Sequence, residues 1–192
     1  MTNYRRIYTP GATWFFTVNL AERNNNTLLI DNIEQLRQAF GYVKQRRPFD
    51  INAAVVLPEH LHSTAGMQEV EQRMEQLPSI WTLPSGDCDY STRWNLLKAY
   101  FSRSIDKGEH LSASRISKRE RGIWQRRFWA HLITDERDFN QHIDYIHWNP
   151  VKHGWVKQVA DWPHSSFHRY EKLGIYPLDW GGGNEFNFDA GE

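Results

Sequence analysis

The 192-residue sequence predicts one α+β domain with helices packed on one face of an antiparallel sheet. Three observations predict it. Short apolar runs of strand length alternate with longer amphipathic stretches, two strand-like runs sit together mid-chain, and no repeat or low-complexity tract interrupts the order.

"TWFFTVNL" (13–20) reads as a buried strand, closed by the polar loop "AERNNNT". Asp31, with Glu34 three residues on, has capping-box spacing. The following helix carries Ile33, Leu36, Phe40 and Val43 on one stripe and ends before Pro48. "INAAVVLP" (51–58) is the second strand; "EHLH" opens a third, and "SIWTLP" (79–84) reads as its remainder. "STRWNLLKAYFSRSI" (91–105) is a second amphipathic helix, followed by a Gly/Ser/Arg-rich loop over 107–122. "WQRRFWAHLI" (124–133) predicts the last strand, and "DERDFNQHIDYIHWN" (135–149) a third helix stopped at Pro150. From about 151 the chain reads as a tail wrapped over the domain, with 181–192 flexible.

Composition narrows the function classes. Lys plus Arg and Asp plus Glu both number 23, so net charge makes no case for a polyanion partner. Distribution matters more: basic residues cluster at Arg5–Arg6, 44–47, 114–122 and 125–127, patches that can track phosphates on a neutral protein. Charge alone favours a solvated mixed surface. Cys88 is the only cysteine. It excludes an internal disulfide and a multi-cysteine zinc site and fits a reducing cytoplasm. Neither a signal peptide nor a membrane-length apolar run is present in the sequence, which predicts a cytoplasmic protein without a membrane partner.

His60 and His62 alternate along a strand, so both imidazoles share a face and can supply two legs of a metal site. H-x-H alone is more often incidental than ligating. Its place after a buried run strengthens it, because two unpaired buried imidazoles are costly. On the helix over 135–149, Phe139, Ile143 and Ile146 form the apolar stripe, while Tyr145 and Asn149 share a flank roughly 100° away. Read singly, Tyr145 is a ring at the core edge and Asn149 a helix-terminal residue. His142, His147 and His153 read as surface or capping residues, one of them a possible proton carrier. Trp124 and Trp129 suit base stacking or core, with core favoured for at least one.

"VVLPEHLH", "WQRRFWAHLI", "HIDYIHWNPVKHGWV" and "DWPHSSFHR" resemble, in order and spacing, the REP-associated tyrosine transposases, relatives of the single-tyrosine HUH transposases. The resemblance spans about Tyr4 to Trp180 and implies a ferredoxin-like sheet in one transposase domain over 1–180. It implies that His60 and His62 help hold a divalent metal, Mg²⁺ or Mn²⁺, with Asn149 the polar third ligand. Tyr145 is then the nucleophile that cuts single-stranded DNA beside hairpins of repetitive extragenic palindromes, leaving a 5′-phosphotyrosine. Two nitrogen ligands should accept Mn²⁺ at least as well as Mg²⁺. The absence of a GxxxxGK[ST] loop agrees with transesterification that needs no ATP. Arg5, Arg6, Arg126 and Arg127 are the candidate DNA contacts. The subgroup implies a monomer, with a dimer as the alternative.

Relative to the family, "STAGMQEVEQRMEQLP" (63–78) is an insertion directly after His62, with Met67, Val70, Met74 and Leu77 at helical spacing. The expectation is a helical excursion, after which "SIWTLP" returns to its strand. The other outcome is that inserted residues take over the strand and shift the metal geometry. That possibility motivates a second reading, a catalytically silent hairpin-DNA-binding relative. A metal-dependent phosphoesterase built on the H-x-H pair ranks last, since only Glu59 stands near as a further ligand.

Overall fold

The computed structural model describes residues 9–21, 27–58, 76–109 and 111–181. Strands β1 (Thr13–Asn19), β2 (Asp50–Ala54), β3 (Gln76–Thr82) and β4 (Trp129–Leu132) form one sheet in the order β2-β3-β1-β4. Every pairing is antiparallel. With α1 (Leu28–Asp31) and α2 (Ile33–Arg46) between β1 and β2, and α3 (Tyr90–Ser104) between β3 and β4, this is the ferredoxin-like βαββαβ order.

Alternation along β1 divides the core. Trp14, Phe16 and Val18 point to the α2/α3 side, where they meet Leu36, Ala39, Val43, Leu97 and Phe101. Trp81 of β3 stacks on Trp94 of α3 with centroids 4.1 Å apart. Phe15 points the other way and joins Ala53, Ile80, Ile143 and Ile146. That second cluster belongs to α5 (Glu136–Lys152), which follows β4 and lies across the opposite face of the sheet. Two helices thus share one face as expected, and the third covers the other. One aromatic-rich face of "TWFFTVNL" could not show which of its two sides each later helix would take.

Several boundaries differ from the sequence expectation. Asp31 ends α1 and accepts from the Thr27 hydroxyl at 2.6 Å, so no capping box forms; Asn32 precedes α2. β2 stops at Ala54 because the chain turns to pair with the C-terminal segment: Val55 bridges Ser165, and the Val56 N–H reaches the His164 carbonyl at 2.9 Å. Trp124 makes only an isolated bridge to Leu20 and is core, whereas Trp129 is 43 % exposed. The segment 107–122 contains a short helix, α4 (Ala113–Ser117). Beyond α5, a 3-10 turn (Val159–Asp161) and α6 (Phe167–Lys172) lead a tail that packs Trp162, Tyr170 and Tyr176 against the second cluster. Among the described residues, no helix is long and apolar enough to cross a membrane.

Arg121 ties the 107–122 segment to the end of α3. Its guanidinium donates to the carbonyls of Ser102, Ile105 (2.8 Å) and Asp106, and pairs with Glu109 at 2.6 and 2.8 Å. Arg121 holds the Glu109 carboxyl down to about 2, against the opposing effect of burial. The folded carboxyl is more acidic than the unfolded one, so its stabilisation is present above about pH 4.5 and disappears as pH falls towards 2. Glu109→Gln should therefore cost about 2 kcal/mol at pH 7, with partial exposure reducing the full linkage value. Urea unfolding of both proteins should show the difference shrinking to nothing near pH 2; a difference independent of pH would reject the pairing as its source.

Candidate active site

Asp135 starts α5, accepting the Asp138 N–H at 2.8 Å. The helix does not stop before Pro150, as its sequence suggested, but continues to Lys152. Proline removes one helical hydrogen bond in the last turn, where few remain to lose, and its ring is buried. At about 100° per residue, Tyr145, His142 and Asn149 fall within about 60° of one another. The expectation that Tyr145 and Asn149 project clear of the apolar stripe is only half met. They share a flank, but that flank is also pressed on the sheet.

Tyr145 is 5 % exposed, and its ring meets Phe15 edge-on at 6.0 Å, with Lys152 Nζ 5.2 Å from the ring centroid. Asn149 is fully buried. Its Nδ2 donates to the Tyr145 carbonyl at 3.4 Å, while its Oδ1 finds no hydrogen-bond partner among the described residues. A buried carbonyl oxygen without a donor is costly. It is the donor set an amide ligand would offer a cation, so this residue fits the divalent ion that the family implies.

His60, His62, Arg5 and Arg6 lie outside the described residues. The strand that follows the histidines in sequence is nevertheless informative. β3 starts at Gln76, so the last three residues of the 63–78 segment are strand, paired as Gln76–Asn19, Leu77–Val18 and Pro78–Thr17. Joining His62 directly to Ser79 would have put His60 and His62 at strand positions 76 and 78, on the same side as Ile80. Those positions carry glutamine and proline. "SIWT" lies within β3, and the last residues of the 63–78 segment extend the strand ahead of it.

A second group was not singled out from sequence. His131, on β4, pairs in register with Phe15 and so lies on the α5 side. Its Nε2 is 2.9 and 3.1 Å from the Asp138 carboxylate oxygens. His142, one turn on, places Nδ1 2.9 Å from the Asp138 carboxylate and from its backbone carbonyl. The Asp138 carboxylate also accepts the Thr134 N–H at 2.9 Å. Burial raises the carboxyl, but the Thr134 and His131 hydrogen bonds outweigh it and hold Asp138 below the ordinary range. Burial pushes His142 down, with Asp138 acting against it. Together these are three metal-ligating side chains within reach of one ion. Two signals were available: alternation on β4, and the i, i+4 spacing of Asp138 and His142.

His147, read as a surface or capping residue, is fully buried on the other flank, its Nε2 2.8 Å from Ser166 Oγ and its ring among Tyr170, Tyr176 and Trp180. Burial, then the nearby Arg169 and His168 charges, brings it down to about 3. It fastens the tail to the Tyr145 helix. Arg126 and Arg127 lie at the surface beside Arg115, lining a cleft of about 430 Å³. Arg126 pairs with Glu120 at 2.9 Å.

A tyrosine and an amide one turn later on a helix laid across a ferredoxin-like antiparallel sheet are the arrangement that the resemblance to tyrosine transposases implies. Comparisons with known proteins make the class particular. The chain is 46 % identical to the REP-associated tyrosine transposase of Escherichia coli K12 over 192 residues, covering all of this chain and 98 % of the relative. It is 43 % identical to a protein of Haemophilus influenzae Rd named as a putative REP-associated tyrosine transposase, over 95 % and 94 % of the two chains. A solved structure described as the REP-associated tyrosine transposase bound to a REP hairpin superposes with a TM-score of 0.76 at 45 % identity, covering 100 % and 98 % of the two chains. No protein-family model matches. The chain belongs to the REP-associated tyrosine transposases.

Proposed function

We propose that this chain is a metal-dependent endonuclease and strand transferase of single-stranded DNA, acting beside hairpins of repetitive extragenic palindromes. The observation that carries the reading is the pairing of Tyr145 with the unsatisfied Asn149 oxygen one turn away on a helix pinned to the sheet. The solved relative's REP hairpin supports the substrate class.

Tyr145 supplies the attacking oxygen. As its bond to phosphorus forms, the bond to the 3′ oxygen breaks; the phenol's proton passes to the departing 3′ oxygen, leaving a 3′-hydroxyl, and the 5′-phosphate stays on the tyrosine. Reversal with another 3′-hydroxyl joins strands. A phenol with an ordinary pKa of about 10 needs help at neutral pH. Lys152 brings a positive charge to within 5.2 Å of the ring centroid. A divalent ion held by His60, His62 and Asn149 would draw charge from the phosphate and orient it. Arg5, Arg6, Arg126 and Arg127 bind hairpin phosphates, and exposed Trp129 offers a stacking face. We place the protein in the cytoplasm as a monomer.

A second reading has its own observation in favour. With Gln76 and Pro78 at the strand positions a continuous H-x-H would fill, and Tyr145 5 % exposed, the chain suits a hairpin binder that no longer cuts. Incubating the protein with Mn²⁺ and a labelled single strand flanking a hairpin separates the two. A band that survives denaturation and carries both label and protein supports the enzyme. Binding without cleavage supports the silent relative, and free nicks without adduct reject the phosphotyrosine route.

A further inference from the structure

We propose that His131, Asp138 and His142 form a divalent-metal site beyond the one the family resemblance implies, at the junction of β4 with the Tyr145 helix. The inference requires neither DNA nor a nucleophile, so it stands or falls apart from the function proposed above.

Geometry supports it first. One nitrogen from each histidine and one carboxylate oxygen lie within 4.8 Å of one another. The two His–Asp separations are 2.9 Å at their shortest. Ligand atoms about 2.0–2.1 Å from a tetrahedral ion stand roughly 3.3 Å apart, so the His–Asp pairs would open by a few tenths of an ångström and any wider pair would close to take an ion.

The ligands are also held in place. The Thr134 N–H and hydroxyl both reach Asp138 Oδ2, at 2.9 and 3.3 Å, which fixes the carboxylate from behind. Trp129 stacks on His131 almost parallel, 8° apart at 5.7 Å, and His131 in turn stacks on His142 at 4.8 Å. Phe15 supports His142 from the sheet at 4.6 Å.

The site opens on one side. The His131 side chain is 35 % exposed against 16 % for Asp138 and 12 % for His142. Three protein ligands and an open side leave positions for water or a phosphate oxygen.

Two imidazoles and one carboxylate select the ion class. Nitrogen-rich sets favour Zn²⁺, Co²⁺ or Mn²⁺ over Mg²⁺. Binding an ion requires the ring nitrogens that face Asp138 to be free of protons, so each neutral ring would carry its proton on the other nitrogen. It would tie the edge strand to the first two turns of the helix that carries Tyr145 and, across Phe15, brace the tyrosine. The competing account is a purely hydrogen-bonded network that fixes the helix start and takes no ion.

The test uses the full chain with His60→Ala and His62→Ala, titrated with Co²⁺ alone and followed by visible absorption and calorimetric stoichiometry. One equivalent should still bind. Adding His131→Gln should weaken binding at least about 100-fold, with circular dichroism unchanged. Asp138→Asn, which keeps an acceptor for Thr134, should weaken it likewise and serves if the first variant does not fold. Absence of Co²⁺ binding in the double-alanine protein overturns the proposal. So does binding that neither further substitution alters.

Discussion

Tyr145→Phe is expected to abolish the covalent protein–DNA adduct and to lower nicking by at least about 10⁴-fold, the scale on which enzymes lose rate with their nucleophile. The substitution removes one oxygen and keeps the ring. Phe15 at 6.0 Å and the Lys152 ammonium at 5.2 Å would meet the same aromatic surface, so fold and hairpin affinity should hold within experimental error. This separation of effects gives the experiment its force. A loss of binding along with cleavage would mean that the ring, not the hydroxyl, was needed. An adduct persisting in the variant would place the nucleophile elsewhere. Because Tyr145 is 5 % exposed, the substrate must gain access to the hydroxyl before attack. Cleavage should therefore show a step that depends on DNA binding but precedes chemistry, visible as a lag in single-turnover time courses.

His60→Ala combined with His62→Ala is expected to reduce metal-dependent nicking on the order of 10³-fold, the equivalent of the several kcal/mol a polarising ion supplies. Hairpin affinity should change little, since phosphate contacts are assigned to arginines. Asn149 is the described member of the proposed ligand set, and its buried Oδ1 lacks a donor among the described residues. Asn149→Asp would add a carboxylate there and is expected to raise metal affinity, whereas the proposed histidine pair would set nitrogen character and a preference for Mn²⁺. Unchanged nicking after loss of both histidines would remove the pair from the mechanism. It would also turn attention to the His131–Asp138–His142 group, one turn from Tyr145.

The two experiments bear on the chain's most unusual feature. β3 contains Gln76, Leu77 and Pro78, residues of the segment read as an insertion, paired with β1 through Asn19, Val18 and Thr17. We propose that 63–78 is inserted relative to the family, and that the sheet accommodated it by drawing in its last residues. Leu77 has an apolar side chain at the right alternation to enter the α2/α3 core, where it is buried. Burial of Leu77 favours that extension.

Much was legible before any coordinates. The amphipathic stripe of α2 was read from Leu36 and Val43, the helix α3 from the amphipathic stretch 91–105, and the buried strand from the run at 13–20; all three are local periodicities. The candidate nucleophile came from motif resemblance on a helix whose existence its own pattern announced. The boundaries that failed did so where distant chain intervened. β2 is cut short because Val55 and Val56 pair with 164–165, more than 100 residues away, and no local signal at "VVLP" records that partner.

Sequence by itself determined the class of fold, the order of its elements and the two residues, Tyr145 and Asn149, on one flank of the last long helix, because 3.6- and 2-residue periods are written in neighbouring side chains. Tertiary structure alone decided which face of the sheet each helix covers, that Asn149 is buried with an oxygen unmet, and that His131 joins Asp138 and His142. Those outcomes depend on strand register and packing between segments far apart in the chain, where a single residue's slip exchanges one face of a strand for the other.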